Sequence, residues 1–295
     1  MSAAHGLATR GARGPREAAN WTRRQVIMTD LRSIRGRAYP RWRGLFREKS
    51  WVLFEILLPF LGTSAFVFVY RALQAPVEYV GFAVLGGAMT AFWLNVIWMM
   101  ANQLYWEKTQ GNLELYFASP MHFMSILFGM AVGGIFMSST RAIVVITAAS
   151  LLYGVHFEVT QWLTLGAVFL LTLAALYGLG MVLASLFLVW GREAWHMGQL
   201  LTEPVYFISG LNFPVARLGL LGAVSVALIP LATGLDAMRQ LAFAGAAFPF
   251  GTPSPLVEIG ILIAMAVVSI VAARWMLVAM ERRARRDGRL SVRWQ

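Results

Sequence analysis

LGLLGAVSVALIPLATGL, residues Leu218 to Leu235, is the stretch on which the number of membrane crossings turns. It carries no charge and is nearly as long as the ~20 residues a transmembrane helix needs. Pro230 removes a main-chain donor from it, and Gly222 and Gly234 weaken the helix on either side. Charge at the chain ends argues in the same direction. Residues 1–50 hold twelve Lys/Arg against three acids, residues 281–295 hold six against two, and the remainder sums to −2 of a net +11. Arginine-rich flanks stay in the cytoplasm. A span here would make the crossings odd and part the two basic tails. We therefore read a re-entrant helical hairpin that dips in from the outer face, its irregular backbone shielded by neighbouring helices.

Six spans surround it, at roughly 51–70, 80–101, 125–154, 162–190, 195–212 and 256–279, with the hairpin between the fifth and sixth. The chain has 295 residues, 58% of them hydrophobic and 13% charged. Spans consume most of that length, which leaves no room for a soluble catalytic domain. The expected fold is an all-α integral membrane domain over residues 39–280, between a basic, disordered cytoplasmic tail (1–38) and a basic C-terminal tail (281–295). Tyr39, Trp42, Leu45 and Phe46 fall at helical spacing with Arg41, Arg43 and Arg47 between them, and Pro40 suits a first helical turn. That pattern predicts a short amphipathic helix on the inner membrane surface. No cleavable signal precedes the first apolar run, so the first span serves as its own signal. Cysteine is absent, which excludes disulfides and thiolate metal sites. The histidines, His5, His122, His156 and His196, are too scattered to assemble a metal site. The abundant Trp and Phe suit interfacial belts.

With both ends inside, the loops around 102–124 and 191–194 face the cytoplasm. The first contains EKTQGNLELYFASP, Glu107 to Pro120, a polar interruption of an apolar chain. Leu113, Tyr116 and Phe117 share one face of a short helix, Glu107, Gln110 and Glu114 the other. Gly111 permits a bend, and Ser119-Pro120 reads as N-cap and first residue of the next helix. Such a helix seats its apolar side on the bundle and offers its acids to a soluble partner. These residues resemble the E-x-x-x-G-T-L-E-x-L-x-x-S-P signature of type 2 ABC exporter permeases, matching at Glu107, Gly111, Leu113, Glu114, Ser119 and Pro120. Asn112 stands where Thr is usual and Tyr116 where Leu is. Two further pieces follow in order. SGLNFP, Ser209 to Pro214, is similar to that family's S-G-x-x-F-P, through Ser209, Gly210, Phe213 and Pro214. PLATGLDAMR, Pro230 to Arg239, is similar to P-L-T-Y-A-L-D-A-L-R, keeping Pro230, Asp236 and Arg239 and departing at Ala232, Thr233, Gly234 and Met238.

The resemblance implies a multi-pass subunit of the bacterial plasma membrane, paired with a second permease copy or a paralogue. It also implies docking through the coupling helix at Glu107–Pro120 to a separate ATP-binding cassette subunit. ATP and Mg would be bound by that subunit, which leaves no cofactor and no catalytic role in this chain. The sequence agrees on the last point: a phosphate loop needs G-x-x-x-x-G-K-[ST], and Lys49-Ser50 and Lys108-Thr109 are preceded by Glu48 and Glu107 instead of Gly. The implied cargo is a lipophilic or amphiphilic compound, a drug, antibiotic or lipid, moved outward; a lipid-linked polysaccharide is the alternative within the fold. Membrane lipids account for the basic tails, with no nucleic acid. An ion-coupled secondary transporter is the competing class, and it would rest on charges within the spans. Glu55, Glu203 and Arg141 are such charges, candidates for a transport pathway. Counted from each helix's own cytoplasmic end they lie at ~6, ~12 and ~24 Å, which makes Glu55 and Arg141 poor partners and lets Glu203 meet Arg141 only if one helix is shifted or tilted. Asp236 and Arg239, three apart, are expected to pair on one helix face. No Ser-His or paired-acid motif suggests an intramembrane enzyme.

Overall fold

The computed structural model describes residues 22–47, 49–112, 115–116, 122–190, 193–243 and 253–286, and among these the fold is all-helical apart from one isolated bridge, Glu158 to Phe243. In chain order the elements are α1 (Arg23–Arg47), α2 (Lys49–Ala72), α3 (Val77–Leu94), a π-helical segment (Asn95–Ala101) and α4 (Gln103–Thr109). Then come α5 (Phe123–Tyr153), α6 (Trp162–Trp190), α7 (Ala194–Ile208), a 3-10 turn (Val215–Leu218), α8 (Leu220–Leu228), α9 (Pro230–Ala242) and α10 (Pro255–Arg286).

Among the described residues five stretches are long and apolar enough to cross a membrane: Val52–Ala72, Val77–Thr109, Phe123–Tyr153, Trp162–Phe187 and Pro255–Met280. This is a multi-pass membrane protein. The second stretch forms the axis of the bundle, with Phe92, Trp93, Val96 and Ile97 buried. The outer faces of α2, α5 and α10 carry exposed Leu57, Leu61, Ile143, Val267 and Trp275, as apolar solvent or a partner requires. The expected fifth span is shorter than predicted: α7 has 15 residues, too few to span alone. It nevertheless runs antiparallel to the second stretch. Gly198 lies against Asn102, Thr90 donates to the Tyr206 hydroxyl at 3.4 Å, and Gly86 takes the Leu211 carbonyl where a Cβ would overlap it.

α8 and α9 are bent by 103° at a break before Pro230, the first residue of α9. The two ends of this pair lie at one end of the bundle. Arg217, in the turn that leads into α8, donates to the Tyr79 hydroxyl at 3.1 Å, and the Ala242 carbonyl that closes α9 accepts from Glu158 N–H at 2.9 Å. Tyr79 begins α3, Glu158 follows α5, and Arg71 at the end of α2 donates to the Tyr153 carbonyl at 2.8 Å.

α1 is longer than the sequence predicts and is placed differently. It begins at Arg23, inside the stretch expected to be irregular, and Pro40 lies within it, not in its first turn. It also runs alongside α5: Asp30 meets His122, Arg41 donates to the Met130 carbonyl, and Trp42 packs on Phe136 with ring centroids 5.8 Å apart. The residue numbers rise together, so the helices are parallel. Gly129 and Gly133, four apart on α5, make this possible, since a Cβ on Gly129 would stand 2.8 Å from Ile34 O and one on Gly133 3.2 Å from Ala38 Cα.

Candidate functional site

At the end of the bundle where α1 lies, the polar turn after the second stretch folds around one carboxylate. Glu107 is buried, its side chain 4% exposed. Its Oε1 accepts from Arg37 and, at 2.8 Å, from Gln103; its Oε2 accepts from Asn112 and from the Tyr116 hydroxyl, both at 2.9 Å. Gly111, at φ +77°, supplies the left-handed turn that brings Asn112 back. Asn112 and Tyr116, where this turn differs from the signature it resembles, both donate to the same oxygen. Burial beside Glu107 pushes the Tyr116 phenol up to about 12, although Arg37 stands 5.2 Å over its ring. Arg41 supports the turn from beneath, donating to the Met99 carbonyl at 2.6 Å and the Met130 carbonyl at 2.9 Å; burial, with Arg37 nearby, brings its guanidinium down to about 10. The expectation that Glu107 faces a partner is therefore corrected: it is turned inward and spent on α1. Exposed positions on this turn are Thr109, Gln110 and Leu115. Leu113, Glu114, Ser119 and Pro120 lie outside the described residues.

The two later motifs meet at the opposite end. Arg239 is 1% exposed and donates to the carbonyls of Gly210 (2.7 Å), Leu211 (2.8 Å), Phe213 (3.1 Å) and, across the bundle, Phe82 (2.9 Å). Gly210, at φ +64°, turns those carbonyls toward it after buried Ser209, Pro214 starts the 3-10 turn, and the Tyr70 hydroxyl holds the Asn212 carbonyl at 2.6 Å. The predicted Asp236–Arg239 pair does not form, because loop carbonyls occupy the guanidinium. Asp236 instead shares Gln240 with Glu258, each carboxylate 3.3 Å from the amide nitrogen. Glu258 was missed in the sequence, though an acid in the first turn of an apolar helix was visible there.

A third cluster lies between these ends. Arg141 on α5 pairs with Glu55 on α2, against the depth argument. Arg141 is 18 residues into its helix and Glu55 only six into its own, by number from Phe123 and Lys49. The starts are not level: α1 occupies the first turns of α5, and α2 takes over where α1 ends. Glu203 stands on the exposed face of α7, apart from this pair. Beside the pair runs the π-helical segment, a widened turn of a kind common at functional sites. Its Asn95 is 1% exposed, accepts from the Tyr177 hydroxyl at 3.1 Å, and fits only because Gly134 has no Cβ.

Among the described residues no group of three or more His or acidic side chains is placed to hold a metal ion. The chain matches no model of a known protein family and no curated protein.

Proposed function

We propose that the chain is the membrane-spanning permease subunit of an ATP-driven exporter, moving a lipophilic or amphiphilic compound out across a bacterial plasma membrane. One observation carries the reading: α1, the polar turn and the start of α5 are locked into a single unit by Arg37, Arg41 and Glu107. A load applied to exposed Thr109, Gln110 or Leu115 passes through that unit to three helices at once, as a coupling element requires. Energy comes from a separate ATP-binding cassette subunit seated on this turn. A second permease copy or a paralogue covers part of the apolar face of α2, α5 or α10.

In this reading α7 is the fifth of six crossings and α8–α9 is the re-entrant hairpin, supported by the end-to-end contacts of α7 with the second span and by the pair's two ends lying together. Both tails are then cytoplasmic. The ion-coupled alternative has its own support, the buried Asp236 and Glu258 around Gln240.

The test is affinity purification from the native membrane with mass spectrometry of co-purifying subunits, beside a Gln110→Arg/Leu115→Arg double variant. Recovery of a cassette subunit whose ATPase the chain stimulates, lost in the variant, is the expected result. A well-folded native chain that brings no cassette subunit overturns the reading.

A further inference from the structure

Glu55, Asn95 and Arg141 share one cavity with Phe54, Leu58, Pro59, Trp98, Met99 and Trp106. Its volume is about 380 Å³, within the ~300–1,000 Å³ of small-molecule sites. It opens between α2 and the second span, on the side where Phe54, Leu58 and Trp106 are exposed. Nearly all its wall is apolar, yet two buried donors of its lining residues, Asn95 Nδ2 and Arg141 Nε, have no hydrogen-bond partner among the described residues. Tyr177 engages Asn95 Oδ1 from the far side and so directs Nδ2 away from itself. Arg141 is already charge-paired with Glu55 and is 4% exposed. Buried donors without acceptors are costly and rare in a protein core.

We propose that this cavity binds an amphiphile, its hydrogen-bond-accepting oxygens drawing the unpartnered donors of Asn95 and Arg141 toward it and its apolar chain lying along Phe54, Leu58 and Trp98. The Glu55–Arg141 pair is neutral as a unit, so the headgroup needs acceptor oxygens and not a net negative charge. A carboxylate, an ester carbonyl or a phosphate oxygen meets that need; a bare hydrocarbon does not. The π-helical segment places Asn95, Trp98 and Met99 on one wall and sends the Met99 carbonyl to Arg41, which links the cavity to the α1 unit. As a binding site this stands on its geometry; as the place where cargo is held it rests on the exporter reading above.

The experiment is bromine quenching of tryptophan fluorescence in the purified full chain, taking the signal of Trp98 as the difference between the native protein and Trp98→Phe. Three probes are titrated: 9,10-dibromostearate, its methyl ester and 9,10-dibromooctadecane. The first two should quench the Trp98 signal saturably and the hydrocarbon should not. Asn95→Leu, close in volume, should bind both some five- to tenfold more weakly, as loss of a hydrogen bond predicts. Leu58→Phe at the exposed mouth, which removes no polar group, should reduce quenching while leaving the size-exclusion profile monodisperse. Equal quenching by the hydrocarbon overturns the proposal, as does unchanged affinity in Asn95→Leu. Absence of quenching by any probe also overturns it, the mouth then being closed or covered by a second copy. Saturable binding by a chain that recruits no cassette subunit keeps the site and removes the exporter reading, and a recovered cassette subunit without quenching does the reverse.

Discussion

Glu107 and Arg239 show how differently single residues can be read from a sequence. Both stood out by motif, and both prove buried, but only the structure supplies their partners. A carboxylate that accepts from Arg37, Gln103, Asn112 and Tyr116 has its lone pairs occupied. Tyr116→Phe and Asn112→Thr should each cost about 1–2 kcal/mol, the range of a hydrogen bond to a charged acceptor with some access to water. Thermal unfolding in detergent would register each as a fall of a few degrees, and the double variant should fall by more than the sum, because either donor alone still serves the shared oxygen and loss of both leaves it bare. Arg239→Lys should be worse. An ammonium cannot fan out to carbonyls on Phe82, Gly210, Leu211 and Phe213 together, so several buried acceptors lose their donor, and we expect little folded protein after purification. The sequence hid these roles because a carbonyl is not a residue type: nothing in SGLNFP announces that its main chain, more than its side chains, holds Arg239.

Among elements, hydropathy found the long apolar helices and the proline-broken pair, because burial in lipid leaves a plain compositional mark. It could not find α1. Residues 23–38 are rich in Arg, which masks Ile27, Leu31, Ile34 and Ala38 at helical spacing, and the seat for Ile34 and Ala38 is made by Gly129 and Gly133 on a helix far along the chain. Nor could it find the offset between α2 and α5, since depth counted along one helix says nothing of where its neighbour begins. Gly133→Leu should therefore release α1 while leaving the spans folded, seen as faster amide exchange across residues 30–42 alone. Acid should do the same more gently. Partial burial raises the Asp30 carboxyl, but bonds from Ser125 and His122 outweigh it and hold the group below its ordinary value of 3.8. With the folded-state value below the unfolded one, this contribution is complete above about pH 4 and is lost as pH falls through the folded-state value. Exchange in the first turns of α1, after correction for intrinsic rates, should rise below pH 4. Asp30→Asn should remove that rise.

For the whole molecule, the arrangement of ends is the consequence that matters most for any transport role. If the second span crosses as we read it, Gln74 and Gln110 lie on opposite sides of the membrane. The chain has no cysteine, so a single introduced thiol reports without background. Gln74→Cys should react with an impermeant maleimide on intact cells and Gln110→Cys only after the membrane is opened; the reverse order would invert the topology. The seating of α1 on α5 also has a consequence in time. About ninety residues separate Arg41 from Gly133, so at roughly 5–20 residues per second the ribosome needs some 5–20 s to produce the surface on which α1 will rest. In our reading, with the N-terminal tail cytoplasmic, Arg37 and Arg41 stand in water and charged throughout that interval and can anchor the orientation of the first spans. Glu107 and the Met99 carbonyl emerge with the second span, but the Met130 carbonyl and the seat at Gly129 and Gly133 come only with the third. In that reading the same two guanidinium groups set direction during synthesis and become structural braces once it is complete.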